Sequence, residues 1–144
     1  MIGKTDKIFI ALLRVSGVHA AASREHFARM NLTEGQPKVL YILRRNEGIL
    51  QKELASLCNV SQPTLTVLLD KMMKRGFNKK EVCSVSGGKR GYQVFLTESG
   101  KEKAEELENV VEELEAKSMK GLSEEEVDLL LTLLAKVQEN LIIG

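Results

Sequence analysis

Tryptophan is absent from the chain, and aromatic residues make up only 4% of it. Hydrophobic residues still reach 43%, so the interior that the chain buries has to be aliphatic. Two prolines in 144 residues argue against a linker-rich or disordered design. Two cysteines, Cys58 and Cys83, are too few for a disulfide framework and suit a reducing compartment. No apolar run approaches the roughly 18 residues needed to span a bilayer. The opening stretch MIGKTDKIFIALLRVSG has a short apolar segment, but Asp6 and Arg14 interrupt it and the helical pattern continues beyond it. We read it as a structural helix of a cytoplasmic protein that does not engage a membrane.

What is present is charge, unevenly placed. The formal net charge is +1. Residues 1–100 hold 16 Lys and Arg against 8 Asp and Glu, while residues 101–144 hold 5 against 12. A basic body joined to an acidic tail fits a protein that meets a polyanion with one part only. Charges that merely solvate helix faces would give the same totals, so the placement of the basic residues matters more than their number.

Apolar spacing over Lys4–Met30 predicts a helix. Thr33 and Gln36 form a T-x-x-Q capping box, predicting a second helix to about Arg45 with Pro37 just past its first turn. A very short strand follows at Ile49–Leu50, then a short helix, QKELASLC, with Leu54, Ala55 and Leu57 inward. Asn59 suits a left-handed turn. Ser61 is placed as the N-cap of the next helix, with Pro63 in its first turn and Lys74, Arg75 and Gly76 at its end. β-Forming residues then flank SGGKR, predicting a hairpin of Phe77–Val85 and Gly91–Leu96. Thr97 caps a long acidic helix, Gly121 breaks it, and Ser123 with Glu126 opens a last helix.

A short helix, a tight turn, a second helix and a hairpin make a winged helix-turn-helix. The fold class is therefore mainly α with a small β-hairpin wing, flanked by N- and C-terminal dimerisation helices. We divide it into a dimerisation helix at 1–32, a DNA-binding lobe at 33–97, and a connecting plus dimerisation segment at 98–144. The second helix of such a unit enters the major groove by its N-terminal residues. Gln62, Thr64 and Thr66 are short polar side chains suited to base edges, because glutamine pairs with adenine and threonine offers a hydroxyl or a methyl. Ser61 and the helix N-terminus suit a phosphate. Residues 71–90 hold seven cations (Lys71, Lys74, Arg75, Lys79, Lys80, Lys89 and Arg90) against Glu81 alone. The expected DNA contacts are Ser61, Gln62, Thr64, Thr66, Lys71, Lys74, Lys89 and Arg90. A capped surface helix and a solvated hairpin tip are the plainer readings of the same residues.

The stretches LTEGQPKVLYIL, QKELASLCNVSQPTLTVLLDKMMKRG and KRGYQVFLTESGKEKAEEL resemble successive motifs of the multiple antibiotic resistance regulator (MarR) family. GLSEEEVDLLLTLLAKVQENL resembles that family's C-terminal dimerisation helix. The resemblance spans nearly the whole chain and rests on the order and spacing of the motifs. It implies a homodimeric transcription regulator, usually a repressor, that binds a pseudo-palindromic double-stranded site. It also implies release by a small phenolic or other anionic effector, held by the first, second and long helices. The chain departs from the family where Gly88, Lys89 and Arg90 replace the common Asp-Arg-Arg of the wing, and where Val67 replaces a frequent arginine. The segment from Gly76 to Thr97 is about two residues longer than the usual pattern.

Other chemistry has weaker support in the sequence. Cys58 reads as a small core residue. Cys83 has basic neighbours and allows a redox sensor on the same scaffold. His19, Glu25 and His26 could contribute to a metal site, which keeps a metal sensor on this scaffold as an alternative, but the two histidines are two turns apart, too far for a simple chelating pair, and no cofactor is expected. No nucleophile-and-base pair and no phosphate-cradling spacing is present, so an enzyme is not expected. A winged helix that binds protein instead of DNA is the other alternative.

Overall fold

The computed structural model describes residues 2–33 and 35–143. Met1 and Gly144, the outer limits of the first and last expected segments, and Glu34, within the motif LTEGQPKVLYIL, lie outside the described residues. The chain runs α1 (Ile8–Ala28), α2 (Gln36–Arg45), β1 (Ile49–Leu50), α3 (Gln51–Leu57), α4 (Gln62–Lys74), β2 (Asn78–Val85), β3 (Lys89–Leu96), α5 (Glu98–Ser118) and α6 (Glu124–Ile143). It is a winged helix-turn-helix whose lobe is carried between long helices.

Capping chemistry explains most boundaries. Ser61 Oγ accepts the Thr64 N–H at 3.2 Å, and Thr97 Oγ1 accepts the Gly100 N–H at 3.0 Å. Ser123 and Glu126 form a reciprocal capping box, with bonds of 2.9 and 3.1 Å. Asn59 takes the left-handed conformation at φ 55°, turning the chain between α3 and α4. The entry to α2 differs from expectation. Gly35 occupies the N-cap at φ 112°, and no side chain caps the helix there. Only the Gln36 half of the Thr33–Gln36 box forms, its Oε1 accepting the Thr33 N–H at 3.3 Å. Pro37 thus lies inside the first turn, where it costs no helical hydrogen bond.

The three strands form one antiparallel sheet in the order β1-β3-β2. Asn78 pairs with Leu96 at the base of the wing and Val85 with Lys89 at its tip. The connection is Ser86–Gly88, so Lys89 and Arg90, expected in the loop, are the first residues of β3. The core is aliphatic: Leu32, Leu40, Leu43, Leu54, Leu65, Leu69, Met72, Val94 and Leu107 are buried together. Leu57 departs from expectation and is 53% exposed. The inward stripe of α3 is Leu54, Ala55 and Cys58. At about 100° per residue, Cys58 falls between the other two and Leu57 falls about 110° from the centre of that stripe.

The outer helices are apolar but uncovered. On α1, Ile8, Phe9, Leu13 and Val18 are exposed, and α6 has no buried side chain among its described residues, with Leu129, Leu131, Leu141 and Ile142 exposed.

Candidate nucleic-acid interface

Helix α4 sits between a buried face and an exposed one. Leu65, Leu68, Leu69 and Met72 are buried, which fixes its rotation about its axis. That rotation leaves Ser61, Gln62, Pro63, Thr64, Val67, Asp70, Lys71 and Lys74 exposed. The Ser61 hydroxyl, besides capping the helix, donates to Thr64 Oγ1 at 2.9 Å.

Thr66 is arranged differently from its neighbours. It is half-buried. Its Oγ1 accepts from Gln51 Nε2 at 2.8 Å and donates to the Gln62 carbonyl at 3.0 Å. The hydroxyl is therefore turned to α3 and to its own helix. Gln51, the first residue of α3, carries no sequence mark that distinguishes it from a solvated glutamine. Its partner lies 15 residues away, which is why pattern reading overlooks it.

The wing stands beside the helix tip. A cleft of about 670 Å³ separates them, lined on one side by Gln51, Lys52, Glu53 and Gln62 and on the other by Lys89, Arg90 and Tyr92. Lys89 and Arg90 are exposed at the distal end of the hairpin. The other basic residues divide by role. Arg75 turns back into the lobe, donating to the Asn31 carbonyl at 2.6 Å and to Gln36 Oε1 at 3.1 Å, with its guanidinium over the Phe77 ring. Lys80 pairs with Asp70 at 3.8 Å and lies over Tyr92, and Lys79 lies over Phe95. Of the eight expected contact residues, the structure brings Ser61, Gln62, Thr64, Lys89 and Arg90 to the exposed surface around the tip and wing. Lys71 and Lys74 are exposed toward the end of α4.

A second cavity, of about 240 Å³, lies where α1, α2 and α5 meet, lined by His19, Ser23, Phe27, Tyr41, Val111 and Glu115 among others. His19 and Ser23 face each other one helical turn apart. The cysteines diverge. Cys58 is buried, and desolvation pushes its thiol pKa up against a smaller opposing influence of Lys38. Cys83 is half-buried on β2, opposite Gly91 of β3.

Residues 32–81, which run from the start of the lobe through α4 into the wing, match the model described as the MarR family. Over that segment the chain is similar to the MarR family. Solved structures of similar fold cover nearly all of it. The wild-type MarR protein of E. coli, without ligand, is 27% identical with a TM-score of 0.74, over 93% of this chain and 98% of that one. A MarR family transcriptional regulator of Listeria monocytogenes, in complex with a 26-mer DNA, is 25% identical with a TM-score of 0.82, over 94% and 89%. A MarR protein of Peptoclostridium difficile shares the fold at 24% identity and a TM-score of 0.82, over 98% and 92%. The matched segment contains the helix tip and stops short of Lys89 and Arg90. Among the described residues, no helix is long and apolar enough to cross a membrane.

Proposed function

We propose that this protein is a MarR family, homodimeric, sequence-specific transcriptional regulator of the cytoplasm that binds a pseudo-palindromic site on duplex DNA. The observation that carries the reading is the pairing of an exposed polar helix tip, Gln62 and Thr64, with an adjacent wing bearing Lys89 and Arg90 across an open cleft. A strand of duplex between them puts the helix tip in the major groove and the wing cations on the backbone or in the neighbouring minor groove. Lys71 and Lys74 add phosphate contacts. The similar Listeria monocytogenes regulator, solved in complex with a 26-mer DNA, supports DNA as the partner.

Two copies supply the symmetry. The exposed apolar faces of α1 and α6 are what a two-fold partner would bury, and two recognition helices roughly 34 Å apart meet successive major grooves. The cavity among α1, α2 and α5 is the place for a small phenolic or anionic effector, and a ligand that favours one spacing of the two lobes releases DNA and relieves repression. A gel shift against the DNA upstream of the protein's own gene, at several salt concentrations, tests the reading. Retention that falls steeply with salt is expected from counterion release. No retention at modest salt would leave a protein-binding winged helix as the better account.

A further inference from the structure

The surface of α4 that faces away from the core is less polar than its tip. Val67, in the second turn, is 54% exposed although every leucine of the helix is buried. Pro63 precedes it by four residues and is also exposed. Thr66, three residues after Pro63, has both functions of its hydroxyl engaged, by Gln51 and by the Gln62 carbonyl. With its proton committed, what Thr66 has left for an outside partner is its methyl and one oxygen lone pair. Residues at i, i+3 and i+4 share one face of a helix. Pro63, Thr66 and Val67 therefore form a stripe that offers ring carbons and methyls and no free hydrogen-bond donor.

Resting on the DNA-binding reading above, we propose that Val67, supported by Pro63 and the Thr66 methyl, is a specificity-determining residue that selects thymine by packing on its 5-methyl group. The major groove shows one apolar group, the thymine methyl, among donors and acceptors. The Val67 side chain pressed against the cytosine amino group or a purine acceptor would strip water from it and return no hydrogen bond. Against thymine it covers a methyl at no such cost. Gln51 is a positioning residue in this scheme, because it holds the Thr66 hydroxyl inward. Gln62 and Thr64 flank the stripe and supply the hydrogen-bond donors that the stripe lacks.

The test uses the full-length protein and a duplex selected by it from a random pool. Each thymine of the selected site is replaced singly by deoxyuridine, which removes the 5-methyl and nothing else. At one or two thymines per half-site the affinity is expected to fall about three- to fivefold, the value of one buried methyl. Val67→Ala, an exposed change in a helix, is expected to weaken the thymine duplex by a similar factor, abolish the deoxyuridine penalty there, and leave the salt dependence unchanged. The proposal is overturned if no thymine responds in the unaltered protein, or if Val67→Ala keeps the full penalty. Absence of salt-sensitive binding to any duplex overturns the underlying DNA reading, and is told apart from the other failures because no site is selected at all.

Discussion

Arg45 grips Glu108 with two guanidinium N–H groups, at 2.6 and 3.1 Å, joining the end of α2 to the middle of α5. Arg44 adds a contact at 3.4 Å, and the Arg45 guanidinium stacks on the Tyr41 ring at 3.8 Å. Hydrogen bonding from Arg45, with smaller help from the charges of Arg45 and Arg44, holds the Glu108 carboxyl below its usual range in spite of some desolvation. The same bond pushes the Arg45 pKa up.

A carboxylate with a depressed folded pKa contributes stability above its unfolded value, about 4.3, and loses it as pH falls through the folded value. Glu108→Gln should therefore cost about 0.5–1 kcal/mol at pH 7, the range for a well-formed but solvent-screened pair. The deficit should vanish once the pH drops below the folded pKa. Urea unfolding of both proteins from pH 7 down to the acid limit measures it. An unchanged difference across that range would show that the pair does not act through the carboxylate charge.

Gly100 marks where α5 presses on the base of the wing. A Cβ placed there would lie 1.9 Å from the Phe77 carbonyl oxygen, a backbone atom that already accepts the Thr97 N–H at 3.0 Å. Neither side has a flexible tip to move. Gly100→Ala is expected to cost about 2–3 kcal/mol, the upper part of the overpacking range, despite alanine's better helix propensity. Chemical denaturation reads this directly; a neutral or stabilising result would mean that the wing base yields easily.

The helix tip and the wing should fail in different ways. Arg90→Ala removes a cation from the distal wing and is expected to weaken binding by about 1–2 kcal/mol on every duplex, with a shallower salt dependence. Gln62→Ala or Thr64→Ala should instead narrow the gap between the selected site and variants of it. Titrations against the selected site and single-base variants separate the two. Equal losses on every sequence from both kinds of change would refute the division of roles.

The two thiols should differ in reactivity. Cys58 is 2% exposed and its thiol pKa is raised by desolvation, so alkylation in the native state should wait on unfolding. Cys83, half-buried on the wing, should be modified first. Mass spectrometry after a timed pulse of iodoacetamide gives the order, and modification of Cys58 at the rate of Cys83 would contradict the burial.

The sequence by itself determined the elements whose cause lies within a few residues: the Ser61, Thr97 and Ser123–Glu126 caps, the left-handed Asn59, the glycine stop at Gly76 and the existence of the hairpin, though not the length of its loop. It also determined which face of α4 is buried, because four apolar residues at helical spacing leave little choice of rotation. The tertiary structure decided what depends on partners far along the chain. Arg75, one cation of a basic cluster in the sequence, bonds Asn31 and Gln36 across 44 and 39 residues. Thr66, outwardly one more polar tip residue, spends its hydroxyl on Gln51. Leu57, apolar on a short helix, is left outside because Cys58 completes the inward stripe. Local hydrogen bonds are set by backbone geometry that the sequence spells out, whereas a long side chain chooses among distant acceptors only after the core has brought them within reach.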